Sequence, residues 1–286
     1  MTQPSDVDQV TGPIAAHGEG PVWHAGWPGL RWVDMLAGDV LELSTAGVAR
    51  THVGSVAAAL RPIDGGGVVL AVERGFALAA DDLSGVVSLG ELWSDPGVRM
   101  NEGGCDPDGR FYCGSMAYDE RTGAGTLYRL ALDDGTVTPV LRDVTISNGL
   151  AWSPDGGTAY YVDTPTHRID AFSYVGGSLR DRRPVVHIPA DVGSPDGLAV
   201  DAAGRLWVAL WGGGAVHCYE PDGRLVERLR VPATNVTACT FGGPDLATLF
   251  ITTSQQNVDR TAEPAAGALF QAAVGATGQP TLPFRR

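Results

Sequence analysis

SPDGLAVDAAGRLWVALW, residues 194–211, sets an Asp-Gly pair before a short polar turn and then an apolar run rich in Leu, Trp and Val. Asp-Gly is an ordinary turn signal, so Asp196 in isolation reads as a bend. The stretch is not isolated. Segments beginning at Glu19 (EGPVWHAGWPGLRWVD), Ala59 (ALRPIDGGGVVLAV), Asn101 (NEGGCDPDGRFYCG), Asn148 (NGLAWSPDGGTAYYV) and Thr237 (TACTFGGPDLATLFIT) align with it. Successive starting positions are 40, 42, 47, 48 and 41 residues apart.

Each unit continues with two more strand-like pieces. One set reads GDVLEL, GFALAA, GTLYRL, HRIDAF, GAVHCY and GALFQA; the other runs from GVARTHV to a degraded GATGQPTLP. Short alternating runs punctuated by glycine predict antiparallel strands. Four strands in a period of roughly 40–50 residues form a propeller blade. The expectation is an all-β, six-bladed β-propeller of four-stranded antiparallel blades, one domain over residues 1–286. Residues 7–17 are expected to give the last blade its outer strand, because an open sheet edge invites aggregation.

The first position of each innermost strand converges on one mouth of a propeller's channel. Read in order, those positions hold Glu19, Ala59, Asn101, Asn148, Asp196 and Thr237. Two carboxylates and two carboxamides therefore share a small volume, which is costly for unpaired charge unless a cation joins them. An all-oxygen set suits hard cations, Ca²⁺ before Mg²⁺ or Mn²⁺, with Zn²⁺ and Fe²⁺ also accommodated.

Composition narrows the partners. The net charge of −13 disfavours nucleic acid and anionic membrane surfaces, leaving small neutral ligands and cations. The opening MTQPSDVDQV lacks the pattern of a signal peptide, and no apolar run is long enough to span a bilayer, so a cytoplasmic location is expected. Cys105, Cys113, Cys218 and Cys239 form no C-x-x-C pair and read as buried free thiols. Trp23, Trp152 and Trp207 read as packing between sheets. Arg182-Arg183 and Arg285-Arg286 read as solvated basic pairs, and His167 as a structural residue of a third strand.

GEGPVW (18–23), RMNEGGCDPDGRFYCGSM (99–116), SNGLAWSPDGGTAYYVDT (147–164), SPDGLAVDAAGRLWVALW (194–211) and TACTFGGPDLATLFITT (237–253) together resemble the family of gluconolactonase, senescence marker protein (regucalcin) and luciferin-regenerating enzyme. The resemblance spans essentially the whole chain and implies a six-bladed propeller with one divalent cation that hydrolyses sugar lactones to aldonic acids. It implies metal ligation by Glu19, Asn148 and Asp196, with Asn101 further out on the substrate. Arg99 would meet the substrate's oxygens, Asp119 its hydroxyls, and Asp196 would act as general base. Glu102 departs from the Asp that many relatives carry, and His17 lies close enough to Glu19 to assist it. Hydrolysis of other esters, phosphotriesters included, is an alternative, as is a non-enzymatic calcium-binding propeller. Neither Ser147 nor Ser194 sits in a G-x-S-x-G elbow, so a serine nucleophile is not expected.

Overall fold

The computed structural model describes residues 7–131 and 135–285. The signal-peptide reading of residues 1–6 and the Arg286 half of the terminal basic pair lie outside these. Six four-stranded antiparallel sheets follow one another along the chain, the only helical elements among the described residues being two 3₁₀ turns, Met35–Ala37 and Thr164–Thr166. The six-bladed propeller is thus the fold. The innermost strands are Gly18–Val22, Ala57–Pro62, Val98–Cys105, Ser147–Trp152, Ser194–Val200 and Val236–Gly242. Each contacts the innermost strand of the next blade, and the sixth contacts the first, so the ring is closed.

Burial follows from that stacking. The second strand of the fifth blade, Leu206–Trp211, is buried along almost its whole length because sheets cover both its faces. Outer strands such as Val87–Glu91 are exposed throughout. Trp207 meets Phe241 of the next blade edge-on, and Trp152 packs against Tyr112 of the blade before. Trp23 instead stacks on Phe250 of the sixth blade. All four cysteines are buried and free.

Every innermost strand carries a β-bulge where the repeat begins. The register slips by one residue between Glu19 and Val22, Ala57 and Ala59, Met100 and Gly103, Ser147 and Leu150, Pro195 and Leu198, and Val236 and Ala238. A bulge re-aims the side chain that it carries. The glycine after the polar residue is required by packing. A Cβ on Gly197 would lie 2.4 Å from the Ala238 Cβ, and one on Gly149 2.6 Å from the Leu198 Cβ. The Asp-Gly and Asn-Gly pairs are therefore points of closest approach between blades. The turn function in the opening stretch belongs to Asp201, whose carboxylate accepts from Ala203 N, Arg205 N, Arg205 Nε and Trp207 Nε1 at 2.7–3.0 Å.

The ring is locked from both ends of the chain. Val7–Gln9 pairs with Phe270–Ala273 and supplies the sixth blade's outer strand, as expected. The stretch read as a degraded strand, GATGQPTLP, is not a strand. Residues 276–285 instead form a strap across the channel end away from the polar residues, and its hydrogen bonds reach all six blades. Thr281 Oγ1 donates to Trp23 O, Phe284 N to Pro62 O, Arg285 N to Gly109 O and Gly278 N to Leu246 O. Gln279 Nε2 donates to both Trp152 O and Val200 O, at 3.1 and 3.0 Å. With its outer-strand place taken by the N-terminus, this segment has no sheet to join.

Gln279→Ala leaves two partly buried carbonyls without their donor. Urea unfolding is expected to show a loss of about 1–3 kcal/mol, and an unchanged midpoint would mean that the strap does not hold the ring.

Candidate functional site

The bulges aim Glu19, Asn148 and Asp196 into one cavity of about 380 Å³, and Arg99 and Asn101 line it too. These five side chains are all 4–6% exposed. Asn148 is fixed by donation from Nδ2 to Thr164 Oγ1 at 3.0 Å, which leaves Oδ1 buried with no partner. Asp196 Oδ1 is likewise buried and unpartnered. Glu19 accepts only a long bond from Gly20 N, at 3.3 Å, and has His17 Nε2 at 3.8 Å. Buried acceptors are rarely left unsatisfied in folded proteins, so this pattern points to a missing electrophile.

Electrostatics agree with the geometry. Burial pushes the Glu19 and Asp196 carboxyls well above the usual carboxylate range. The charges of Asp196 and Glu102 add to the effect on Glu19, and that of Glu102 to the effect on Asp196. Asn148 and Arg99 offset it only in part for Asp196. Burial, helped by the Arg99 charge, pulls His17 down to about 3, leaving a neutral ring bonded through Nδ1 to Ser254 Oγ at 2.9 Å.

Among the described residues no three His, Cys, Asp or Glu side chains are gathered as for a metal. A cation here would be held by two carboxylates and the Asn148 amide oxygen. That donor set fits a hard divalent ion: it is all oxygen, its two charges match, and two of its acceptors have no other partner.

The other predicted residues take different places. Arg99 is clamped: Nη1 reaches Asn101 Oδ1 at 2.7 Å and Met100 O and Met35 Sδ at 3.0 Å, and its guanidinium lies 5.7 Å from the Tyr118 ring centre. Asn101 also donates Nδ2 to Ser147 O at 2.9 Å, so both ends of its amide are engaged. Asp119 is not brought to the cavity. It is exposed and paired with Arg121 at 3.0 Å, whereas the next residue, Glu120, lines the cavity. Glu102 faces the other way, into a second cavity of about 130 Å³ shared with Arg61, Cys105, Cys239 and Gln279 of the strap. Burial pushes its carboxyl up to about 7 despite the opposing Arg61 charge.

Sequence reasoning missed the wall. Met116, Glu120, Ile146, His167, Trp211 and Gln256 lie on it, and all but Gln256 come from the third, fourth and fifth blades. None falls at the repeat position, so periodicity carried no signal for them.

Comparison with known proteins follows the same lines. Residues 17–255 match the family model described as the SMP-30/Gluconolactonase/LRE-like region. The chain is 36% identical to a pentonolactonase of Haloferax volcanii, over 92% of each chain. It is 33% identical to regucalcin of Danio rerio, covering 93% of this chain and 94% of that one. The crystal structure of a calcium-binding protein, regucalcin, from Agrobacterium tumefaciens superposes with a TM-score of 0.91 at 30% identity, over 98% of this chain and 97% of the other.

Raised carboxyl pKa values have a signed consequence for stability. Without cation, the folded state keeps Asp196 protonated after the unfolded chain has ionised, so its contribution to stability drains away as pH rises above about 4. In chelator-treated protein, the melting temperature of Asp196→Asn relative to wild type should therefore climb between about pH 4 and pH 8. Saturating Ca²⁺ should abolish or reverse that gain. A difference that does not vary with pH would mean that Asp196 is not a buried, unpaired charge.

Proposed function

The chain belongs to the SMP-30/gluconolactonase/LRE-like family, and we propose that it is a lactonase that opens sugar lactones to aldonic acids with the help of one divalent cation, Ca²⁺ being the best fit. The observation that carries this reading is the pair of unpartnered acceptors, Asp196 Oδ1 and Asn148 Oδ1, buried beside Glu19 in a cavity that also presents a fixed guanidinium. Glu19, Asn148 and Asp196 would hold the cation. When bound, the cation supplies a Lewis acid that polarises the lactone carbonyl and acidifies nearby water.

The chain's own groups do the rest. Asp196, kept ionised by positive charge close by, accepts a proton from the attacking water as its oxygen bonds to the carbonyl carbon. Arg99 faces the negative charge that develops on the carbonyl oxygen, and its bond to Asn101 fixes its aim in advance. The tetrahedral carbon then releases the ring oxygen, and the proton held on Asp196 goes to it. Water has added across the ester bond, and Asp196 is again a carboxylate. Glu120, which lines the cavity where Asp119 does not, would accept from substrate hydroxyls.

A pH-stat assay over five- and six-membered aldonolactones, on stripped and Ca²⁺-reconstituted protein, tests the reading. Stripped protein should be inactive and melt at a lower temperature, since a ligand of the native state stabilises it by mass action. Full activity without metal would sink the cation's role. Asp196→Asn should stay about 10²-fold or more down in kcat at saturating cation, while Asp201→Asn stays near wild type in kcat. Arg99→Ala should lower kcat/KM for aldonolactones and for an unsubstituted lactone alike if Arg99 serves the carbonyl. A loss confined to aldonolactones would move it to the hydroxyls.

A further inference from the structure

His167 lines the catalytic cavity, yet the reaction derived above gives it no task. It closes the Thr164–Thr166 turn with a left-handed backbone, φ 52° and ψ 38°. Glycine or asparagine would occupy that conformation more easily than a residue with a ring. Its Nδ1 is buried and has no hydrogen-bond partner. The loop cannot readily relax either feature. His167 N donates to Thr164 O at 3.1 Å, Ile188 N donates to His167 O at 2.8 Å, and Thr166 Oγ1 donates to Asp163 O at 2.7 Å. Thr164 is itself tied to Asn148. Backbone strain that its surroundings hold in place is characteristic of positions kept for function.

Glu120 is assigned above to substrate hydroxyls, and the polar groups of the cavity floor are committed. Both ends of the Asn101 amide are bonded, the neutral His17 ring is held by Ser254, and Asn148 and Asp196 face the cation position. A polyhydroxylated ligand needs partners above that floor. With Nδ1 closed off, Nε2 is the nitrogen that His167 can offer to the cavity. We propose that His167 is a substrate-binding residue whose ring hydrogen-bonds a hydroxyl of the bound sugar lactone, and that it sets the preference for hydroxylated over unsubstituted lactones. This deepens the lactonase reading and rests on it.

The test uses the full-length, Ca²⁺-loaded protein and His167→Gly, a substitution that suits the left-handed backbone and should leave the melting temperature unchanged or higher. The kcat/KM for glucono-1,5-lactone should fall about tenfold while that for δ-valerolactone stays within about twofold, as expected for one hydrogen bond to a substituent. The affinity for gluconate, measured by calorimetry, should weaken in step, and added imidazole should restore part of the loss on gluconolactone. Equal losses on both lactones, or no loss on either, would overturn the proposal. If the wild type binds gluconate but hydrolyses neither lactone, the lactonase reading falls, and the change in gluconate affinity alone decides the role of His167. A wild type that does neither overturns both.

Discussion

Glu19, Glu102 and Asp196 are buried near one another inside the ring, and the nearby fixed cations are two, Arg99 and Arg61. Isolated charges are not kept in such a place; they are neutralised, paired or joined to a metal. The structure divides the problem between the two sides of the bulged strands. Glu102 looks toward Arg61 and the strap, while Glu19 and Asp196 look toward the open cavity with no fixed counter-charge as close as a ligand. A divalent ion there would match the two charges of Glu19 and Asp196. Without one, the fold must hold protons on its carboxyls. On the proposed reading the same requirement would make Asp196 useful, since a carboxylate ionised only by adjacent positive charge takes up a proton readily when that charge is shared with a substrate.

This arrangement depends on a ring that does not breathe. Val7–Gln9 closes the sixth sheet at its outer edge, and the 276–285 strap ties six blades together beneath the channel. Small displacements between blades would separate Glu19, Asn148 and Asp196, which come from the first, fourth and fifth. The contact of Gly197 with Ala238 sets one such spacing and that of Gly149 with Leu198 another. Packing at these glycines and the aim of the polar residues before them are consecutive links in the same strands.

Periodicity carried the fold because each blade repeats the same burial problem, and the solution shows as apolar runs at regular spacing. It carried the floor of the site for the same reason: Glu19, Asn101, Asn148 and Asp196 occupy one position of the repeat. It also made the Asp-Gly pair ambiguous, since a turn and a bulge beside a close approach favour the same residues. The structure separates them, with Asp201 saturated by four donors and Asp196 left with a free oxygen. The strap was misread because GATGQPTLP has strand-like glycine spacing, and pairing by the distant N-terminus cannot be seen locally. The wall residues were invisible in principle. Asp119 stays exposed while Glu120, left-handed at φ 56°, lines the cavity, and no repeat constrains that loop.

Two repeat positions carry no candidate ligand. Ala59 offers no donor atom. Thr237 turns its hydroxyl to Gly18 O at 2.6 Å and Thr252 Oγ1 at 2.9 Å, so it binds the first blade to the sixth instead of the cavity. The remaining positions are unequal as well. In the third blade Asn101 spends its amide on Arg99 and Ser147, which converts a ligand position into a support for a cation. The candidate ligands from blades one, four and five thus face a guanidinium from blade three, and in the proposed reaction the space between them is where an ester carbonyl would meet both kinds of positive charge. A symmetric ring of six acceptors would encapsulate its ion. On the proposed reading, the departures at Ala59, Asn101 and Thr237 would leave room for a substrate.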